Sequence, residues 1–341
     1  MDITDRQKNI LCAIVDAFIE IGEPVGSKAL TEQGFSYSSA TIRSEMSELS
    51  EMGFLTQPHT SAGRIPSQRG LRYYVDNIMH KRSLSRDEMN TIDSLLADAV
   101  KDPIGILNDV SLVLAELTKL VALSTSMAAE DAVIRRVEII PTGKRTVLIV
   151  LMTNSGIVKN KQVKTDVDTG GEFVSILTKV LNDRLSNLPV SNITLEFIKS
   201  FAVSLGEFAF VISAILLAIL EAAKEAGQPE IALEGQTNLL FRPEFEQDEI
   251  REIISFLNHK EDINKIVSRY EFGSRVLIGR ELEQKELEHS ALITARYQID
   301  GKTAGTIGVI GPQRMDYAKM ISSIEYFASS ISRMLTEGQV E

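Results

Sequence analysis

Cysteine is almost absent. Cys12 is the only one in 341 residues, which excludes an internal disulfide and a cysteine-built zinc site. It falls on the apolar side of a helical pattern and reads as core. Histidine is scarce and scattered: His59, His80, His259 and His289 form no i,i+4 pair and no H-E-x-x-H. A G-x-S-x-G elbow, a Walker loop and G-x-G-x-x-G are all missing, and the glycines of "GTIGVIGP" sit in a strand pattern. No catalytic residue, metal or cofactor is therefore expected. Long apolar runs are missing too. "FAFVISAILLAIL", Phe208–Leu220, has 13 residues. As a helix it reaches about 20 Å, short of a hydrocarbon core of about 30 Å, so no membrane partner is expected. Bulk positive charge is absent, with a net charge of −11, so contact with a polyanion must rest on local geometry. The start, "MDITDRQKNI", lacks a basic stretch followed by an apolar core, which makes the cytoplasm the default expectation.

What is present begins with a capping box, Thr4 and Gln7, ahead of Ile10, Leu11, Ile14, Val15, Phe18 and Ile21 at helical spacing. Gly22 ends that helix. Ser27 caps a short second one, "KALTEQ", closed by Gly34. Ser38 or Ser39 caps a third, "ATIRSEMSELSEM", closed by Gly53, whose apolar side is Ile42, Met46, Leu49 and Met52. "FLTQP" and "RIPS" are short extended pieces around a polar turn, and a fourth helix runs from Gln68 to about Lys81. Helix, short helix, turn, helix and two-stranded hairpin is the order of a winged helix-turn-helix, expected over residues 1–82.

In that arrangement the third helix enters the major groove. The positions its apolar face leaves over are Ser38, Ser39, Thr41, Arg43, Ser44 and Ser47. Small hydroxyls let a helix backbone approach closely, and Arg43 reaches a guanine edge or a phosphate. The hairpin tip supplies His59, Thr60, Ser61, Gly63 and Arg64. Gly63 is expected to provide a positive φ and close approach, and Arg64 a phosphate or minor-groove contact. Charge gives mild support. Residues 1–82 hold nine Lys/Arg against ten Asp/Glu, although the chain as a whole is strongly acidic. A winged helix that binds protein instead is the competing reading.

Beyond a linker helix at 83–102, "PIGILNDVSLVLAELTKLVALS" (103–124) has helical spacing. Three strand-like runs follow, "AVIRRVEII", "RTVLIVLMT" and "GIVKNKQVKT", and three more lie near the C-terminus, "SRVLIG", "SALITARYQI" and "TAGTIGVIG". Together they suggest one antiparallel sheet in an α+β domain split into 103–165 and 271–341, closed by a helix from about Arg314 to Leu335. The mainly helical block between them, 166–270, reads as an insertion. Its apolar helix either fills the insert's own core or forms a homodimer interface through Phe208, Val211, Ile212, Ile215 and Leu216.

"GEPVGSKAL", "SSATIRSEMSELSEMGFLTQPHTSAGRIPS" and "GLRYYVD" resemble the N-terminal domain of the HrcA family of bacterial heat-inducible transcription repressors. "TNLLFRPEF" (237–245) fits that family's middle, and "GTIGVIGPQRMDYAKMISSIEYFA" (305–328) resembles its end. The resemblance implies a multidomain α+β chain: a winged helix, a GAF-like domain, and a dimerising domain inserted into the latter. It further implies a homodimeric repressor of chaperone operons, bound to double-stranded DNA at an inverted-repeat operator called CIRCE and dependent on the GroEL chaperonin. The alternative is a regulator that senses a small molecule in the GAF-like pocket, although no cluster of polar residues marks such a pocket.

Overall fold

The computed structural model describes residues 3–32, 34–35, 37–59, 62–99, 106–126, 132–154, 157–166, 170–206, 208–268, 274–299 and 301–337. The chain forms two compact units. One combines Met1–Ser126 with Ile231–Glu341, and the other is Met127–Glu230.

The first unit begins with three helices, α1 (Asp5–Ile21), α2 (Ser27–Glu32) and α3 (Ser39–Glu51). The Thr4–Gln7 capping box satisfies orphan donors at the start of α1, and Gly22, at φ 84°, ends it in the left-handed region that glycine tolerates. Ile10, Leu11, Ile14 and Val15 of α1 pack with Ile42, Met46 and Leu49 of α3 in one core. Two strands of two residues each follow, β1 (Leu55–Thr56) and β2 (Ile65–Pro66). Val25 and Arg64 exchange backbone hydrogen bonds of 2.9 Å, adding a third backbone segment beside the hairpin. Helix α4 (Gln68–Tyr73), capped by Ser67, continues into a π turn at Tyr74–Ile78. These elements form a small head.

The rest of this unit is a five-stranded antiparallel sheet in the order β7-β3-β10-β9-β8. Its strands are β3 (Val121–Ser126), β7 (Ile231–Glu234), β8 (Arg275–Ile278), β9 (Ser290–Ile299) and β10 (Lys302–Pro312). Helices cover both faces. Ala122, Ile293, Ile307 and Val309 share a core with Leu96 of α5 (Arg86–Ala99), Leu114 of α6 (Ile106–Thr118) and Phe327 of α12 (Tyr317–Glu337). Val121, Leu123, Leu292 and Ile310 face Ile253 and Leu257 of α10 (Gln247–Leu257) and Ile263 and Ile266 of α11 (Lys260–Ser268). Alternation along a strand sends neighbours to opposite faces, so a doubly covered sheet is apolar throughout.

The second unit has its own three-stranded antiparallel sheet, β4 (Ile134–Gly143), β5 (Thr146–Thr153) and β6 (Val158–Lys164). Helices α7 (Gly171–Leu185), α8 (Leu195–Ser204) and α9 (Phe208–Gly227) complete it. Val147, Ile149 and Leu151, alternate residues of β5, pack in one core with Leu177, Leu181, Ile212, Ile215, Leu216 and Ile219.

Three expectations are corrected. The helical pattern over 103–124 stops at Thr118: Lys119 takes φ 54°, and "VALSTS" becomes β3 because pairing with β7 and β10 overrides its spacing. The single sheet divides into two, since among the described residues β4, β5 and β6 pair only with one another. The insert consequently runs over 127–230 rather than 166–270 and is α+β rather than mainly helical. The segment 231–268, counted with it, supplies β7 and one helical cover of the five-stranded sheet.

Candidate nucleic-acid interface

Helix α3 has two faces. Ile42, Glu45, Met46 and Leu49 are buried, whereas Arg43, Ser44 and Ser47 are exposed, at the i, i+1 and i+4 spacing that lines one side of a helix. The roll of α3 on α1 is fixed by polar as well as apolar contacts. Glu45 is buried and ion-paired with Arg6, and Gln7 donates from Nε2 to Glu48 Oε2 at 3.1 Å. Nothing local marked Glu45 or Glu48 as structural, because their partners lie on another helix. Arg6 also stacks its guanidinium 5.7 Å from the Tyr37 ring centre, and Tyr37 is itself exposed at the start of the helix.

The other predicted positions differ in availability. Ser38 is exposed and caps α3, accepting from Thr41 N at 3.1 Å. Its hydroxyl also lies 2.9 Å from that of the half-buried Thr41. Ser39 is half-buried, its hydroxyl 3.0 Å from that of Ser27, which ties the starts of α2 and α3 together. Lys28, one residue into α2, is exposed and was not singled out from the sequence. Its position immediately after Ser27 at a helix start was the available signal.

In the hairpin, His59 is exposed and its carbonyl accepts from Ala62 N at 2.9 Å, while Thr60 and Ser61 lie outside the described residues. Gly63 departs from expectation, because its φ is not positive. Glycine is required there by packing: a Cβ would stand 2.4 Å from Val25 O. Arg64 is not a loose tip residue either. It is half-buried, its backbone is paired with Val25, and its Nε donates to Ser50 Oγ on α3 at 3.0 Å. The hairpin is thereby tied to both α3 and the segment before α2. Arg69 closes the base, with its guanidinium 4.6 Å from the Phe54 ring centre and a 2.8 Å hydrogen bond to Met52 O.

Beneath this surface Tyr74 donates to Asp16 at 2.7 Å, and Cys12 to the same carboxylate at 3.4 Å. Burial and then Asp16 push the Cys12 thiol up to about 12, so it stays protonated and unreactive near neutrality. Among the described residues no group of His, Cys, Asp and Glu is arranged to hold a metal ion, and no helix is long and apolar enough to cross a membrane.

In the second unit, Ile212, Ile215 and Leu216 are core residues, unavailable to a second chain. Phe208 is exposed, and the side chain of Val211 lies outside the described residues. Among the described residues, the large apolar side chains that α8 and α9 leave uncovered are Leu195, Val203, Phe208, Phe210 (87% exposed) and Leu217.

A family model described as the HrcA protein C-terminal domain matches residues 105–321. The heat-inducible transcription repressor HrcA of Acetivibrio thermocellus is 33% identical over 336 residues, 97% of this chain and 96% of that protein. The repressor of the same name from Clostridium perfringens is 34% identical over 323 residues, 94% of this chain and 95% of its own. A crystal structure of a hypothetical protein aligns with 98% of this chain and 99% of its own at 26% identity, with a TM-score of 0.63. These likenesses put the chain in the class of transcription repressors rather than enzymes. Within that class it belongs to the HrcA family of heat-inducible repressors.

Proposed function

We propose that the protein represses chaperone operons by binding, as a homodimer, a CIRCE-type inverted repeat in double-stranded DNA in the cytoplasm, with GroEL as the chaperonin partner. The head is read as a winged helix-turn-helix, the five-stranded sheet with its helices as a GAF-like domain, and 127–230 as a dimerising insert. The observation that carries the reading is the exposed side of α3. Arg43, Ser44 and Ser47 lie on it, opposite a face fixed by the Arg6–Glu45 pair, with a hairpin tied to the same helix through Arg64 and Ser50. One long cation among short hydroxyls suits base-edge contact in a major groove. On the insert, the surface proposed for the second copy is the exposed set Val203, Phe208, Phe210 and Leu217.

Footprinting of the purified protein on promoter DNA tests this reading. It requires two symmetric protected half-sites whose centres lie about one helical turn, or a multiple of it, apart on one face. Unsymmetrical protection, or none, counts against it. The small-molecule reading is favoured by a cavity of about 310 Å³ among α5, α6 and α12. Leu114, Met320 and Phe327 line it with Asp87, Glu88 and Lys319, a mixture suited to an amphipathic ligand. A thermal-shift screen against metabolites separates the two readings.

A further inference from the structure

Three stretches that carry the family resemblance have no place on the candidate DNA surface: "GLRYYVD", "TNLLFRPEF" and "GPQRMDYAKM". In the first unit they meet where the head joins the five-stranded sheet. The contacts fall at two separate places on the head.

At α4, Arg72 donates from Nε to Glu281 Oε1 at 2.9 Å, and from Nη2 to Glu281 Oε2 at 2.5 Å and to Val276 O at 2.7 Å. Such forked pairing fixes direction as well as distance. One turn earlier, Gln68 donates to Ile278 O at 2.6 Å and accepts from Arg280 N at 3.2 Å, so its amide reads both backbone groups of one turn. Gly279 stands at φ 55°, a left-handed conformation that suits glycine, and a Cβ there would lie 2.9 Å from the backbone oxygen of Glu288 and press on the Gln313 and Gln68 amides.

At the end of α1, Arg314 donates from Nη1 to Ile19 O at 2.9 Å and from Nε to Glu244 Oε1 at 2.9 Å. Ile19 is among the last residues of α1, whose final carbonyls lack partners within the helix and welcome a cation. The guanidinium carbon lies 3.2 Å from where a Cβ on Gly22 would stand. Among the described residues Glu244 Oε2 is buried without a hydrogen-bond partner, so Arg314 is the cation that keeps this carboxylate compensated.

We infer that these residues form a rigid joint that sets operator spacing, with Gln68, Arg72, Glu244, Glu281 and Arg314 as positioning residues for DNA recognition. The inference rests on the inverted-repeat reading above. Helix α3 packs on α1, and the hairpin leads directly into α4. Holding α1 at its last turn and α4 through both Gln68 and Arg72 removes the freedom that a single attachment would leave. In a dimer, each head's pose on its sheet then decides where the second α3 meets DNA. One added base pair moves a half-site by about 3.4 Å and turns it by about 35°. A fixed joint resists that change, and a loosened one absorbs it.

The test is a gel shift with full-length protein on three duplexes: the native operator, the same operator with its spacer lengthened by two base pairs, and a single half-site. The wild type should bind the lengthened operator at least tenfold more weakly than the native one. Arg314→Met, and separately the double variant Arg72→Met with Glu281→Met, should lose severalfold on the native operator. Their penalty for the longer spacer should shrink to threefold or less, and half-site affinity should stay within twofold of wild type. A general structural defect would weaken the half-site as well. If Arg314→Met fails to fold because Glu244 is stranded, the double variant carries the test, since it removes both charges of the Arg72–Glu281 pair together and leaves only the exposed Asp76 without its ion-pair partner. Folded variants that keep the full spacer penalty overturn the joint alone. A wild type indifferent to spacer length overturns the joint together with the inverted-repeat reading.

Discussion

Replacing Gly63 by alanine separates two explanations of the hairpin. The new Cβ would lie 2.4 Å from Val25 O, 2.5 Å from Val25 C and 2.9 Å from Gly26 N, all of them backbone atoms that no rotamer change moves aside. Restoring an ordinary contact requires a shift of about 1 Å. The two Val25–Arg64 hydrogen bonds are 2.9 Å long, and such a shift takes them past bonding range. At about 0.5–1.5 kcal/mol each, their loss costs about 1–3 kcal/mol. In a unit of this size each kcal/mol lowers Tm by roughly 2–4 °C. Calorimetry of Gly63→Ala should therefore show a lower Tm, and gel shifts should show weaker DNA binding, because the hairpin is displaced from α3. Had the glycine served only to let DNA approach, binding would fall at an unchanged Tm. That result would refute the packing argument.

Arg43→Ala should cost about 1–3 kcal/mol of operator affinity and relax specificity at one position per half-site, with Tm unchanged because the side chain is exposed; equal affinity in gel shifts removes Arg43 from the interface. In the insert, Ile215→Asp buries an unpaired charge in a fully enclosed position and should unfold the insert, whereas Phe210→Asp should leave Tm intact and yield monomers by sedimentation. A stable monomer from Ile215→Asp, or a dimeric Phe210→Asp, contradicts this division. Asp93 on α5 accepts from Ser330 at 2.6 Å, Tyr326 at 2.9 Å and Arg333 at 3.1 Å, all on α12. Burial alone would raise its pKa, but these hydrogen bonds outweigh it and hold the carboxyl below its ordinary value. Its stabilisation is thus present above the unfolded carboxylate range, near pH 4, and is lost as pH falls through the lower folded value. Asp93→Asn should depress Tm at pH 7 and converge with wild type on acidification, and a constant gap across the titration would exclude the linkage.

Local chemistry made the head legible. A capping box, a left-handed glycine after α1 and a serine before α3 act within a few residues of themselves, and the helices begin and end at them. Sheet membership is decided elsewhere. "VALS", the end of the stretch read as helical, follows helical spacing, yet Ser124 pairs with Ala232 and Ile307 from distant chain, so the sequence signal pointed the wrong way. The boundary of the insert was misplaced for the same reason, because β4 and β9 read alike until their partners are known. The apolar helix α9 announced burial without its direction, so the set expected at an interface mixed the enclosed Ile212, Ile215 and Leu216 with the exposed Phe208 and passed over Phe210. For Gly63 the residue type was the right clue and the neighbour the wrong one: Val25, not DNA, occupies the space of the missing Cβ.

The order of synthesis follows from the same topology. Strand β3 lies opposite β10 with Thr125 against Thr306, so the middle of the five-stranded sheet cannot close until 181 further residues have been made. At about 5–20 residues per second, that delay is on the order of ten to forty seconds. The head, whose contacts are local, is complete long before then. Its bond from Arg314 to Ile19 spans 295 residues of chain. The surface proposed to read DNA is finished early on the ribosome, and its second fastening waits until Arg314 has been made, so a chain cut short before Arg314 would leave the head held at α4 alone.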